Sequence, residues 1–386
     1  MGIDIFVPFS NQNCVFMFFL YISLAYIIPN VYVFFRIRNL FISKGYRQRY
    51  LLIYLLIAFV YPLFGRSAYE HMNLLLQAMY TISSYLLPFY LYLFLAVLVF
   101  DLFLLFNLLI RILSPERRKS FSFRVITLSV MILLSVSVVV GGAINLNSIQ
   151  VSKYKIEVPR KNSRLDHLRV AFVADIHIQQ NTSIRFIDQF VNKANALQPD
   201  IMLLGGDIVE GKQEDGTTEA IESALRNLKT KYGSFAILGN HESYNGKEQN
   251  SFFRRSGMTL LCDTVIKVDS SFYLAGRYDQ RNRKRITTTA LLNGTTHDLP
   301  ILMMDHRPNE LQEASQTATD VQFSGHTHNG QLFPLNFIIH SMYELSWGYR
   351  KIRNTNFFVT SGLRLWGPPV KTAGKSEIML VDITFN

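Results

Sequence analysis

Four long apolar runs, at 14–35, 50–65, 73–100 and 125–146, contain no Asp, Glu, Lys or Arg and constrain the first 150 residues more than any other feature of the chain. A helix needs about 20 such residues to cross the hydrocarbon core of a bilayer. Three runs reach that length. The run at 50–65 is shorter and carries Pro62 near its end, so it reads either as a fourth span or as a buried or interfacial helix. Residues 1–13 hold no Lys or Arg and no small-residue cleavage site follows the first run, which fits a retained helix better than a cleaved leader. The expectation for residues 1–150 is an all-α transmembrane helical domain of about four spans.

The cations set an orientation. Arg36, Arg38, Lys44, Arg47 and Arg49 follow the first run, and Arg111, Arg117, Arg118, Lys119 and Arg124 follow the third, whereas the intervening loop has only Arg66. Lys and Arg beside spans stay on the cytoplasmic side. This alternation places the N-terminus outside, both basic loops inside, and everything after Leu146 on the extracytoplasmic face of a cell (inner) membrane. Much of the formal net charge of +11 lies in loops that meet anionic headgroups, so the lipid bilayer is the expected partner and nucleic acid is not. Cys14 lies in an apolar run and Cys262 in the second half, which argues against a disulfide between them.

After Leu146, short β-rich runs alternate with polar, helix-compatible ones, the pattern of an α/β layered domain. The runs are 168–174, 201–204, 234–238, 272–275, 301–304, 321–323, 357–360 and 377–383. Helices are expected at 183–197, capped by Thr182 or Ser183, and at 219–229. Five of the runs lead into residues that ligate metals: Asp175-Ile176-His177, Gly206-Asp207, Gly239-Asn240-His241-Glu242, Asp305-His306-Arg307-Pro308 and Gly325-His326-Thr327-His328. Loops at the carboxyl ends of strands in layered α/β folds converge on one crevice, so residues far apart in sequence can share a site there. Taken singly, Asp175 reads as a helix N-cap, Asp207 as a turn residue and His306 as a buried histidine satisfied by backbone. Taken together, six polar residues behind buried strands would need six separate partners, which favours a common site.

The motif order D-x-H, G-D, G-N-H-[DE], H and G-H-x-H resembles that of the calcineurin-like metallophosphoesterases, over about residues 165–385. The resemblance implies a four-layer α/β/β/α sandwich for residues 151–386. It implies that Asp175, His177, Asp207 and His328 hold one metal ion and that Asp207, Asn240, His306 and His326 hold the other, with Asp207 bridging. Mn²⁺ is the first expectation for this oxygen and imidazole set, with Fe, Zn²⁺ or Mg²⁺ as alternatives; the lack of cysteine ligands argues against a structural zinc site. His241 matches the family histidine that contacts the phosphoryl group and protonates the leaving oxygen, and Glu242 would orient the loop. The glycines before Asp207, Asn240 and His326 are expected where the backbone needs φ > 0 to aim a ligand inward.

The implied activity is hydrolysis of a phosphate ester or pyrophosphate by hydroxide held between two ions, on a phosphorylated small-molecule or lipid substrate. A catalytically silent metal-binding sensor or scaffold is the alternative. The runs 276–279, 325–334 and 361–371 are similar to the bacterial transmembrane subgroup that includes calcineurin-like UDP-2,3-diacylglucosamine pyrophosphatases. Gln179, Gln180, Glu210 and Asn329 depart from residues common in the family, and none is an expected ligand. The aromatic, apolar segment 332–349 reads either as a lipid-facing lip or as packing on the domain's own core. Arg277, Arg281, Arg283, Lys284 and Arg285 read either as a grip for a second phosphate or as a solvated loop.

Overall fold

The computed structural model describes residues 12–64, 74–179, 182–210, 216–243 and 249–386; Arg66, His71 and Gln180 lie outside the described residues. The chain divides into two units, Met1–Ala143 with Gly367–Val370, and Ile144–Trp366 with Lys371–Asn386.

The apolar runs of the first unit fold into helices at Gln12–Leu40, Arg47–Phe64, Leu74–Ile110 and Phe121–Asn147. Helical hydrogen bonding continues past the apolar residues, so the first helix takes in Arg36 and Arg38 and the second begins at Arg47. Among the described residues, Leu74–Ile110 and Phe121–Asn147 are long and apolar enough to cross a membrane. Val33 and Ile37 of the first helix pack with Tyr90, Leu93 and Val97 of the third and Met131 of the fourth. Asp101, the acid within the third helix, is paired with Arg36, whose Nε lies 2.8 Å from Asp101 Oδ2.

Among its described residues, the second unit is built on twelve strands: β1 (Gln150–Val158), β2 (His167–Val173), β3 (Ile201–Leu204), β4 (Ser234–Ala236), β5 (Met258–Leu260), β6 (Thr264–Val268), β7 (Phe272–Gly276), β8 (Ile301–Met304), β9 (Val321–Ser324), β10 (Gly348–Ile352), β11 (Thr355–Val359) and β12 (Glu377–Phe385). They form two six-stranded sheets, ordered β1-β12-β2-β3-β4-β5 and β10-β11-β9-β8-β7-β6. The centre of each is parallel, β2-β3-β4 in one and β7-β8-β9-β11 in the other.

Successive side chains of a strand point to opposite faces, and strands buried on both faces read as continuous apolar runs. Here Val170 and Phe172 of β2, Ile201 and Leu203 of β3, Leu302 and Met304 of β8 and Val321 and Phe323 of β9 meet in one core between the sheets. The alternate residues Ala171, Val173, Met202 and Leu204 face the opposite way, onto helices Ile184–Ala196, Gly216–Leu225 and Gln249–Arg255. On the second sheet, Ile301 and Met303 pack outward on Leu291, Leu292, Leu311 and Ala314 of two short helices. The layer order is α/β/β/α. One detail differs from expectation: neither Ser183 nor Thr182 caps the helix with its side chain, because Thr182 Oγ1 instead accepts from Gln179 N at 2.8 Å.

Candidate metal centre

The ladders of both sheets continue past their strands and bring the motif loops together. Asp175 N donates to Gly206 O (2.9 Å), His177 N to Asp207 O (3.0 Å) and Ile178 N to Ile208 O (2.8 Å), so the loops after β2 and β3 run side by side. Gly325 N donates to His306 O (2.9 Å) in the same manner after β9 and β8. His326 N donates to the Asp175 carboxylate, at 3.0 Å from Oδ2, which ties the edge of one sheet to the other.

Asp175, His177, Asp207, His326 and His328 all have φ between 48° and 72°. Non-glycine residues rarely occupy this left-handed region, and such strain clusters at functional sites. The expected need for φ > 0 at the preceding glycines holds at Gly206 (φ 90°) but not at Gly239 or Gly325, where the reason is close approach. A Cβ on Gly239 would overlap the Asp207 carboxylate, and one on Gly325 would lie 2.6 Å from Asp175 Oδ2. Glycine is there to let the carboxylates in.

The side chains form overlapping clusters. Asp175, His177 and His328 make one, Asp207, His306 and His326 another, and His177, Asp207 and His241 link them. His328 Nε2 stands 3.2 Å from His177 Nε2 and 3.7 Å from Asp175 Oδ1, and His177 Nε2 is 4.0 Å from Asp207 Oδ2. Donor atoms sharing an ion at about 2.1 Å lie about 3 Å apart at right angles and about 4 Å apart across it. The observed separations are of that size.

The donor chemistry also fits a metal. Asn240 Oδ1 and His306 Nε2 are buried without a hydrogen-bond partner, an arrangement that costs free energy unless something else binds there. His306 Nδ1 faces Gly205 O at 2.8 Å, and donation there leaves the Nε2 lone pair facing Asp207 Oδ2 at 3.2 Å, without hydrogen-bond alignment. Asn240 lies against Asp207, since His241 N donates to Asp207 Oδ1 at 2.8 Å on one side and Gly239 abuts the same carboxylate on the other.

The charges lean the same way. Burial, and then the charges of His306 and His177 respectively, hold His326 and His328 well below the usual histidine range, as neutral imidazoles. Burial opposes ionisation of Asp207, yet the charge and contact of His306 outweigh it and hold the carboxyl well below its ordinary range. Burial likewise works against a proton on His306, but Asp207 and Asp175 push its pKa up to about 10. A field that draws a proton so strongly would draw a divalent cation.

Around the ligands, two carboxylates organise the loops. The buried Glu242 accepts from Asp207 N (3.0 Å), Val209 N (3.0 Å) and Gly239 N (2.7 Å), fixing the loops after β3 and β4 against each other. Glu210, noted in the sequence only as a departure from a common Asp, places Oε1 2.5 Å from His177 Nδ1 and 3.1 Å from His241 Nδ1. Burial works to raise the Glu210 pKa, but the two histidines bring it down to about 2. For His241, burial works downward and the Glu210 hydrogen bond with the Asp207 charge outweighs it, so its pKa lies above the ordinary value. The ring packs 4.8 Å edge-on from His177 and 6.2 Å from Trp366, and its side chain remains 24% exposed.

Arg277 and Arg285 are buried in ion pairs with Asp305 and Glu310, so they hold the β7 and β8 loops together. Arg283 and Lys284 are solvated. Arg281 differs from these: burial and the neighbouring Arg307 push its guanidinium down to about 10, and it interacts with Asp207. In the segment 332–349, Leu332 is buried, whereas helix Asn336–Met342 has no buried residue and leaves its apolar side chains exposed.

Residues 168–330 match the family model for calcineurin-like phosphoesterases. An uncharacterized metallophosphoesterase of Helicobacter pylori is 30% identical over 58% of this chain and 61% of its own length. One from Campylobacter jejuni is 28% identical over 71% of this chain and 75% of its own. A transmembrane protein with metallophosphoesterase domain from Danio rerio is 29% identical over 69% of this chain and 64% of its own. The chain thus spans about 61% of the length of the Helicobacter relative. The matched segment and these relatives agree on a calcineurin-like metallophosphoesterase domain around residues 168–330.

Proposed function

We propose that this protein is a membrane-anchored phosphoesterase with two divalent ions, manganese first among them, that hydrolyses a phosphate ester or pyrophosphate bond of a lipid or cell-envelope substrate. The observation that carries the reading is the pair of carboxylate and imidazole clusters meeting at Asp207, with buried Asn240 Oδ1 and His306 Nε2 left for a partner other than protein. Asp175, His177, Asp207 and His328 would hold one ion, and Asp207, Asn240, His306 and His326 the other. Bound there, such ions supply charge neutralisation at phosphoryl oxygens and a nucleophile at neutral pH.

His241 is exposed enough to reach a substrate, and the Glu210 hydrogen bond, outweighing burial, favours its protonated form, which suits it to give a proton to the leaving oxygen. The two apolar helices and the transmembrane relatives support an anchor in the membrane. The four apolar runs support about four spans, and the cation pattern of the basic loops supports an extracytoplasmic site on a cell (inner) membrane.

Purified protein is expected to hydrolyse bis-p-nitrophenyl phosphate or p-nitrophenyl phosphate with added Mn²⁺. Asp207→Asn should abolish turnover, and His241→Ala should lower it by about 10² to 10⁴-fold. Hydrolysis that survives chelation, or is insensitive to both substitutions, refutes the reading.

A further inference from the structure

The helix Asn336–Met342 and its leading turn present an apolar face to solvent: Phe337 is 62% exposed, Ile338 57% and Phe333 49%, with Leu335 and Met342 also open. Residues 331–343 contain no Asp, Glu, Lys or Arg. An uncharged apolar face of this kind on a folded domain marks a surface that something covers.

What covers it is indicated by how the domain is tethered. The apolar helix Phe121–Asn147, long enough to cross a bilayer, ends three residues before β1 begins at Gln150. Its last turn is fixed to the domain: Asn145 Nδ2 donates to Lys371 O (2.9 Å) and Gly374 O (3.2 Å). The far side of that same loop holds the start of the exposed segment. Thr372 N and Ala373 N donate to Gln331 O (2.9 and 3.0 Å), and Phe333 N donates to Thr372 Oγ1 (2.9 Å). The end of the membrane-length helix and the exposed apolar face therefore lie one loop apart. The metal centre is close by, because His340 Nε2 meets Asn329 Oδ1 at 2.8 Å and Asn329 follows His328 directly.

We infer that the Phe333–Met342 face enters the lipid leaflet from which helix Phe121–Asn147 emerges, seating the metal centre at the headgroup layer. Amphipathic elements of this type lie about 5–10 Å into the boundary between headgroups and acyl chains. A site held at that depth meets phosphorylated headgroups in the plane of the membrane and needs no carrier to bring them. The contact itself does not depend on the hydrolytic reading, so the two can fail separately.

The test uses the full chain in vesicles of phosphatidylethanolamine and phosphatidylglycerol whose acyl chains carry bromine. A Phe337→Trp variant adds one emitter, read as the difference from the parent chain, and Thr289→Trp, on the exposed side of helix Thr288–Leu292, serves as the control. Expected is at least about a twofold loss of the emission added by Phe337→Trp, larger for bromine near the headgroups than near the bilayer centre, with the control unaffected. Two results overturn the inference. One is emission insensitive to bromine but quenched by aqueous acrylamide. The other is disulfide linkage of a Phe337→Cys variant to a second copy, which would mean that protein covers the face. Because Phe337 is exposed, both variants are expected to fold.

Discussion

Replacing Glu210 with Gln separates the positioning of His241 from its mere presence. The carboxylate holds His177 Nδ1 at 2.5 Å and His241 Nδ1 at 3.1 Å through Oε1, while Gln179 Nε2 donates to Oε2 at 2.6 Å. Hydrogen bonds to a charged group are worth about 1.5–3 kcal/mol against about 1 for neutral ones, so a neutral amide forfeits about 0.5–2 kcal/mol at each histidine. Summed over the two histidines, about 1–4 kcal/mol at 1.36 kcal/mol per decade is about 5 to 900-fold in kcat/KM, which encloses the 10 to 100-fold found when groups behind metal ligands are altered. A purely structural role could produce the same loss, so the pH profile decides. Burial lowers the His241 pKa, and the Glu210 hydrogen bond with the Asp207 and Glu210 charges raises it by more. An acid that must be protonated to work fails as pH rises through its pKa. Removing the Glu210 charge should therefore move the alkaline limb to lower pH. The assay is p-nitrophenyl phosphate hydrolysis across pH with saturating Mn²⁺. A Glu210→Gln enzyme within about twofold of the parent, with an unmoved alkaline limb, would show that Glu210 does not govern His241.

Chelation should destabilise the sheet domain as well as silence it. Loading ions at 100-fold above Kd stabilises by about 2.7 kcal/mol, which predicts an unfolding temperature about 5–10 °C lower after chelation, restored by Mn²⁺ and nearly absent in Asp207→Asn. Gly239→Ala puts a Cβ into the Asp207 carboxylate and 2.5 Å from Asp207 N, so metal content should fall and turnover drop by at least about 10²-fold. Gly294→Ala, with nothing within 4 Å, should match the parent in both measurements.

The strands that the sequence discloses and those it hides divide along a physical line. The legible runs become β2, β3, β4, β7, β8, β9, β11 and β12, interior strands covered on both faces over most of their length and so largely apolar. The four that escape notice, β1, β5, β6 and β10, are the four sheet edges. Edges are half-solvated, and β1 (QVSKYKIEV) and β10 (GYRKI) carry the polar residues that edge strands need to avoid pairing with other chains. The same division applies at the site. Ligand residues are legible because each follows an interior strand within a short motif, whereas Glu210 acts on His177 from 33 residues away through a proximity that only the folded loops create.

Nor does the sequence reveal which residues bear the backbone strain. Glycine is the residue expected at positive φ, yet Asp175, His177, Asp207, His326 and His328 adopt it themselves. Such conformations cost on the order of 1–3 kcal/mol each and persist only where the surroundings over-determine them. The protein's own contacts hold them: the parallel ladder joins Asp175 N to Gly206 O and His177 N to Asp207 O, and Glu242 gathers the amides of Asp207, Val209 and Gly239. Around Asp175, His177 and Asp207, the strain is therefore borne by the same loop-to-loop hydrogen bonds that bring the candidate ligand residues together.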